Sequence, residues 1–300
     1  MKDTIEDLRK KIGSAGELGS VVRTMKALAA SSITQYQRAV QSLSSYYRTV
    51  EWGLVVALGK RRTTENQQLV PGPGRRTDSS AIIVFGSDIG LVGGFNETLG
   101  AYAQPFLEGI PGDKKIWCVG ERISRILEES GWEVSSTLEV PASVRNITSL
   151  VGEILGEILA LLESGVVARI FTIHNHPDNS GVTFGPLDQC ILPLDELWAR
   201  QLTKLRWPTH YLPELPGDPE LILEALVREY LFVSLYRICA ESLASENASR
   251  LAAMLRAEKN IRERLDSLQL TFHRLRQESI DEELFDIVSG SELLGQQDKY

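Results

Sequence analysis

The chain has 300 residues, 43% of them hydrophobic and 24% charged, with 32 Lys/Arg against 40 Asp/Glu and a formal net charge of −8. This composition excludes disorder, collagen and low complexity. The acidic balance argues against a general nucleic-acid binder, which needs a basic field to hold phosphates.

Three cysteines, Cys118, Cys190 and Cys239, stand far apart. They make neither a disulfide framework nor a CxxC metal motif, and they fit a reducing compartment. No apolar run approaches the about 18 residues of a membrane span, and the charged start from Met1 to Lys11 does not read as a secretory signal.

Charge is unevenly placed. Residues 1–62 carry 11 basic and 5 acidic side chains, a net of +6, whereas residues 63–220 carry 11 and 21, a net of −10. The basic segment reads either as a solvated helix face or as a surface for an acidic protein partner, with RNA a weaker third reading.

In chain order, Asp3 and Glu6 predict a capping box ahead of Ile5, Leu8 and Ile12. Gly13, Gly16 and Gly19 follow. Each costs about 1 kcal/mol relative to alanine inside a helix, so a break or soft joint is expected there. Ser20–Trp52 lacks glycine and proline. It repeats Met25, Ala29, Ser32, Tyr36, Ala39, Leu43, Tyr46 and Val50 in alternating steps of four and three, the seam of a coiled coil. Residues 60–79, with Pro71, Gly72, Pro73 and Gly74, read as a joint.

The middle alternates strands with helices. Strands are expected at 81–85, 115–119, within 132–140, at 166–173 and at 189–194. Helices are expected at 96–107, 121–130 and 144–164, giving a largely parallel sheet. From Glu220 to Ser289 the chain again lacks glycine and proline. Leu221–Ala240 is apolar nearly all round, which predicts burial on several sides. A second seam then runs through Leu251, Met254, Glu258, Ile261, Leu265, Leu268, Phe272 and Leu275, with Glu258 weakening it locally.

The expected fold class is therefore α/β: two long terminal helices forming an antiparallel coiled coil, plus a central Rossmann-like domain. The expected boundaries are an N-terminal helix over 1–59, a linker over 60–79, a sheet domain over 80–215, a C-terminal helix over 216–290 and a tail over 291–300.

Two chemical candidates stand out. The glycine-rich turn Gly86–Asn96, containing Gly90, Gly93 and Gly94, follows a strand and opens a helix, where a phosphate cradle would sit. It lacks a lysine and matches neither GxxxxGK[ST] nor GxGxxG, so it reads as a structural turn. His174-Asn175-His176, with Asp178 nearby, resembles a metal half-site, and both imidazoles would share one strand face. A zinc needs three or four protein ligands and only two other histidines exist, so the pair reads as a surface strand end and no metal is expected. Glu128-Glu129 and Glu282-Glu283 read as solvated helix faces, and no spacing supports a catalytic triad.

Four stretches carry a family resemblance. Arg23-Thr-Met-Lys-Ala-Leu-Ala-Ala-Ser31 resembles the N-terminal signature of the F-type ATP synthase gamma subunit. Ser234–Arg250 is similar to that family's SLxRAxAESxASEHAAR block. Arg276-Gln277-Glu278-Ser279-Ile280, followed by Glu283-Leu284 and Ile287–Gly290, resembles its C-terminal ending, and Ser87–Asn96 its SDRGLCGGLN turn. Ser32, Ile89, Val92, Asp281 and the glycines after Ser14 depart from the pattern and mark a divergent branch.

The resemblance implies a rotor shaft that binds no cofactor and is not catalytic by itself, with ATP chemistry on the beta subunits. It implies alpha, beta and epsilon subunits and the membrane c-ring as partners, with no nucleic acid. It also implies a peripheral place on the cytoplasmic face of the cell membrane, reached only through partners. Arg23, Met25, Lys26, Arg276 and Gln277 would contact the surrounding hexamer. The alternatives are a coiled-coil adaptor and a nucleotide-binding α/β enzyme.

Overall fold

A computed structural model describes residues 4–61, 79–178, 183–193 and 217–297. The elements in order are α1 (Ile5–Arg61), β1 (Ser80–Phe85), α2 (Phe95–Gly109), β2 (Lys114–Val119), α3 (Glu121–Glu129), β3 (Val134–Leu138), α4 (Val144–Glu163), β4 (Arg169–Pro177), β5 (Phe184–Leu192) and α5 (Pro219–Gln297). Most of the expected joint at 60–79 lies outside the described residues, as do 179–182 and 194–215 of the expected sheet domain, residue 216 of the expected C-terminal helix and the last three residues of the expected tail. The chain divides into two compact units. One comprises residues 1–28 with 251–300, and the other residues 29–250.

The larger unit is built on one sheet in the order β3-β2-β1-β4-β5. β1 pairs parallel with both β2 and β4, and β2 parallel with β3. β5 returns antiparallel on β4. The apolar run of β1 is buried at every position, as a central parallel strand requires.

Its side chains alternate between two cores. Ile82 and Val84 join Leu99, Ala103 and Leu107 of α2 and Ile123 and Leu127 of α3. Ala81, Ile83 and Phe85 join α4 residues such as Ile147, Val151 and Ile154. That second core also takes in Val50, Leu54 and Ala57 of α1 and Leu231, Leu235 and Ile238 of α5. Within this unit α1 and α5 run antiparallel: the Tyr46 hydroxyl donates to Glu229 at 2.7 Å, and a Cβ on Gly53 would strike Leu226.

The smaller unit is a helix pair. α1 presents Leu8, Ile12, Ala15, Gly19, Val22 and Lys26, all buried or half-buried, in steps of four and three. α5 presents Met254 and Leu268 buried, with Leu251, Ile261, Leu265, Phe272 and Leu275 half-buried. The helices are antiparallel here too, because Gly19 lies beside Ile261 and Lys26 beside Glu258.

Several expectations are corrected. α1 runs unbroken through Gly13, Gly16 and Gly19. Hydrogen-bonded backbone with helix on both sides outweighs the propensity cost. The cap is formed by Thr4 and Asp7. The Thr4 hydroxyl donates to Asp7 Oδ2 at 2.7 Å, while the Asp7 amide donates to Thr4 Oγ1 at 3.2 Å. Asp3 lies outside the described residues.

Tyr46 is exposed, and Tyr47 takes its inward place, 5.8 Å ring to ring from Tyr230. The last strand begins at Phe184, five residues before the expected start, and runs antiparallel. β4 extends to Pro177. The all-round burial of α5 falls at Ile238–Asn247, C-terminal to most of the expected stretch; Leu221 itself is exposed.

Candidate functional site

Among the sequence-predicted contact residues, Arg23, Arg276 and Gln277 are exposed, and Met25 and Lys26 are half-buried. The Arg23 guanidinium donates to Ser20 Oγ at 3.0 Å. Lys26 Nζ lies 2.5 Å from Glu258 Oε2, and this ammonium holds the Glu258 carboxyl below the usual carboxylate range. The acid that interrupts the α5 seam thus has its cation on α1, four places below the pattern residue Val22 in the helical ladder. Lys26, one of the expected contact residues, is thus also tied to α5 while its side chain stays 31% exposed.

Further along α5 the apolar residues turn outward. Ile280, Leu284, Phe285, Ile287 and Val288 are all exposed, Phe285 by 73%. On α1 Leu18, Val21 and Leu28 are exposed as well. A narrow helix pair, or one helix alone, has no interior in which to bury these side chains, and exposed apolar rows of this kind mark an interaction face. Individual ion pairs beside it are sparse and open, such as Arg274–Glu278 at 3.8 Å, and contribute about 0–1 kcal/mol at most.

In the larger unit the seam residue Leu43 is half-buried. The turn after β1 is held by its own side chains. Asn96 Oδ1 accepts from the Ser87 amide at 3.0 Å, and Asn96 Nδ2 donates to Ser87 Oγ at 2.8 Å. Asp88 accepts from the Glu121 amide at 2.9 Å through one oxygen and from the Val140 amide at 2.8 Å through the other. The first donor of α3 is therefore taken by a carboxylate, where an anion would otherwise bind.

Glycine is required at Gly86, where a Cβ would fall 2.5 Å from Ile123 Cβ, and at Gly120, whose φ is +113°. Gly90 and Gly94 are looser: a Cβ on Gly90 would lie 3.2 Å from Arg122 Nη1 and one on Gly94 3.8 Å from Thr98 Oγ1. Gly93 has a φ of +58°.

Strand order reverses between β2 and β4 about β1, which in open α/β sheets opens a crevice for ligands. Here α5 fills it. Ser242 Oγ donates to the Phe85 carbonyl at 3.1 Å, and Ser249 Oγ donates to the Val92 carbonyl. Glu241, Ser242, Ser245, Glu246, Asn247 and Ser249 are all buried. Arg250 pairs with Glu246 and donates to Asn247 Oδ1 at 3.0 Å. Burial pushes the Glu246 carboxyl up despite that arginine.

The histidine pair belongs to the same crevice. His174 is buried, contrary to a surface strand end, and His176 is partly exposed. Both approach Glu241, which the sequence did not connect with them because it lies on α5. Asp178 instead accepts from the Thr183 hydroxyl.

The family whose model is described as ATP synthase matches residues 4–294. An ATP synthase gamma chain of Chloroherpeton thalassium is 29% identical over 98% of this chain and 99% of its own length. One from Clostridium acetobutylicum is 25% identical over 96% of this chain and 97% of its own. Among solved structures, the rotor of Euglena gracilis mitochondrial ATP synthase in rotational state 1 superposes with a TM-score of 0.56 at 14% identity, covering 92% of this chain and 98% of that one. The central stalk and c-ring structure of Tetrahymena thermophila mitochondrial ATP synthase gives 0.55 at 19% identity, covering 79% and 99%. At these identities the structures establish the shared fold. Among the described residues no helix is long and apolar enough to cross a membrane.

Proposed function

The chain belongs to the ATP synthase gamma chain family, and from that premise we propose that it is the central-stalk rotor of an F1 sector. It couples ion flow through a membrane ring to ATP synthesis or hydrolysis on the beta subunits and carries no catalytic residue itself. Its partners are the alpha and beta subunits, the epsilon subunit and the c-ring, at the cytoplasmic face of the cell membrane.

The observation that carries this reading is the exposed apolar row Ile280, Leu284, Phe285, Ile287 and Val288 near the end of α5. Such a row needs a surrounding protein. Its apolar character suits a bearing, because dispersion and desolvation are non-directional and hold no one angular position. Arg23, Met25, Arg276 and Gln277 are the contact residues proposed on this shaft. Lys26 contributes through Glu258, by fixing the helix pair.

Reconstitution tests it. The full chain is combined with alpha and beta subunits, and complex formation and ATP-driven ion pumping are measured in vesicles with the membrane sector. Met25→Lys is expected to lower the ratio of ions pumped to ATP hydrolysed while the complex still assembles. An unchanged ratio counts against that contact, and failure of the wild-type chain to assemble counts against the whole reading.

A further inference from the structure

The crevice at the C-terminal end of β4 contains a group of side chains that shaft rotation does not use. His174 and His176, two residues apart on one strand, project to the same face with ring centroids 6.2 Å apart and planes at 90°. Glu241 reaches them from α5. Its Oε2 lies 3.0 Å from His176 Nδ1 and 3.6 Å from His174 Nε2. We propose that His174, His176 and Glu241 form a binding site for one divalent transition-metal ion of the zinc class, with solvent completing the coordination.

Geometry is the first argument. One ligand atom from each residue lies within 4.8 Å of the others. A tetrahedral zinc with bonds of about 2.05 Å sets its ligands about 3.3 Å apart, and the two distances to Oε2 bracket that value. Two imidazoles and one carboxylate are a donor set zinc accepts with an open position.

The second argument is an unmet need. His174 is completely buried, and neither of its ring nitrogens has a hydrogen-bond partner. Buried polar atoms are otherwise nearly always paired, so a nitrogen aimed at an occupied carboxylate with no bond calls for something between them.

The outer contacts fit as well. Arg237 Nε donates to Glu241 Oε1 at 2.8 Å, which orients the carboxylate so that Oε2 faces the histidines. The His176 side chain is 39% exposed, leaving a path for the ion and room for a water ligand. A bound ion would join β4 to α5, both within the larger unit, at the place where Ser242 and Ser249 already fasten the helix. The competing account is a purely structural cluster, with Glu241 neutralised by Arg237 and His176.

The test uses the purified full chain, stripped with a chelator and titrated with Zn²⁺ by calorimetry, and with Co²⁺ for its visible d–d absorption. The expected result is one saturable Zn²⁺ per chain, a rise in Tm, and a Co²⁺ spectrum of tetrahedral intensity. His176→Ala should weaken Zn²⁺ binding by more than about 100-fold, beyond the loss of an outer-shell partner. His176 is the informative position because it is partly exposed, so its removal should leave the fold intact, as circular dichroism would check. Glu241→Gln should act in the same direction, and His273→Ala on the exposed face of α5 should change nothing. Absence of saturable Zn²⁺ binding up to millimolar metal, or binding that His176→Ala leaves unchanged, overturns the proposal in favour of the structural cluster.

Discussion

The unbroken course of α1 through three glycines makes a quantitative prediction. Gly13, Gly16 and Gly19 all sit in helical backbone. A Cβ added at Gly13 or Gly16 meets nothing within 4 Å. At Gly19 it meets Ile261 Cγ2 at 3.5 Å and Arg23 Nη1 at 3.6 Å, which is ordinary van der Waals contact. Replacing each with alanine therefore gains helix propensity, about 1 kcal/mol apiece, without a steric charge against it. The triple variant should stabilise this part of the helix by about 3 kcal/mol. At about 1.4 kcal/mol per factor of ten, local opening becomes roughly 100-fold rarer.

Amide hydrogen exchange of the purified full chain, read on peptides spanning Leu8 to Val22, measures that opening directly. Protection should rise about 100-fold in the triple variant and about fivefold in each single one. The opposite sign refutes the reasoning in an informative way. If these glycines form a joint with left-handed backbone, alanine strains it and protection falls. If only Gly19→Ala lowers protection, the helices approach more closely at the seam than a methyl group allows.

Other outcomes follow from the same contacts. Gly120→Ala should cost roughly 3 kcal/mol by urea unfolding, because φ is +113° and the new Cβ would lie 2.7 Å from the Ser87 backbone nitrogen, which cannot swing aside. Ser242→Ala should cost about 1 kcal/mol by removing its bond to the Phe85 carbonyl. Of the three thiols only Cys190 is exposed, while burial pushes Cys118 up to about 12 and Cys239 higher still. A disulfide reagent at mild alkaline pH should therefore label one cysteine rapidly in the folded chain and all three after denaturation. Glu246 binds its proton more tightly folded than unfolded, so stability should fall as pH rises from the ordinary value near 4.5 through the folded pKa. Glu246→Gln should flatten that slope in urea midpoints. Leu265→Pro should disrupt assembly with alpha and beta subunits far more than removal of the last ten residues, and equal loss would refute the antiparallel seam.

What the sequence made legible was whatever rests on apolar periodicity. The β1 run Ala81–Phe85, the α4 stripe through Ile147, Val151 and Ile154, and the α5 seam at Met254 and Leu268 all fall on buried positions. Local chemistry was legible only to within a residue. Thr4 and Asp7 cap α1, and Tyr47 rather than Tyr46 turns inward onto Tyr230, because a tyrosine pair in a helix offers both registers and packing chooses. The early part of β5 stayed hidden because Phe184–Asp188 holds a glycine and a proline, tolerable on an edge strand but unlike a strand in isolation. Glu241 could not be joined to His174 and His176 by any spacing rule. Their proximity is a product of the tertiary fold, 65 residues apart in the chain.

The largest omission, the buried polar block of α5, explains how one helix can be both fastened and free. Hydropathy marks Glu241, Ser242, Ser245, Glu246, Asn247 and Ser249 as surface, yet each is buried. Burying so many polar groups is tolerable only because they find partners: Ser242 and Ser249 on strand-end carbonyls, Ser245 and Asn247 on their own helix, Glu241 on Arg237, and Glu246 on Arg250. Hydrogen bonds are directional, so this stretch resists rotation about the helix axis in a way that an apolar face would not. From Leu251 onward the same helix offers only a narrow, mainly apolar seam to α1, and beyond Ser279 its large apolar side chains point outward. On the proposed rotor reading, the paired polar block holds α5 to the sheet, while the bare apolar end turns against a surrounding protein. The transition from paired polar to bare apolar groups along α5 is that division written into one element.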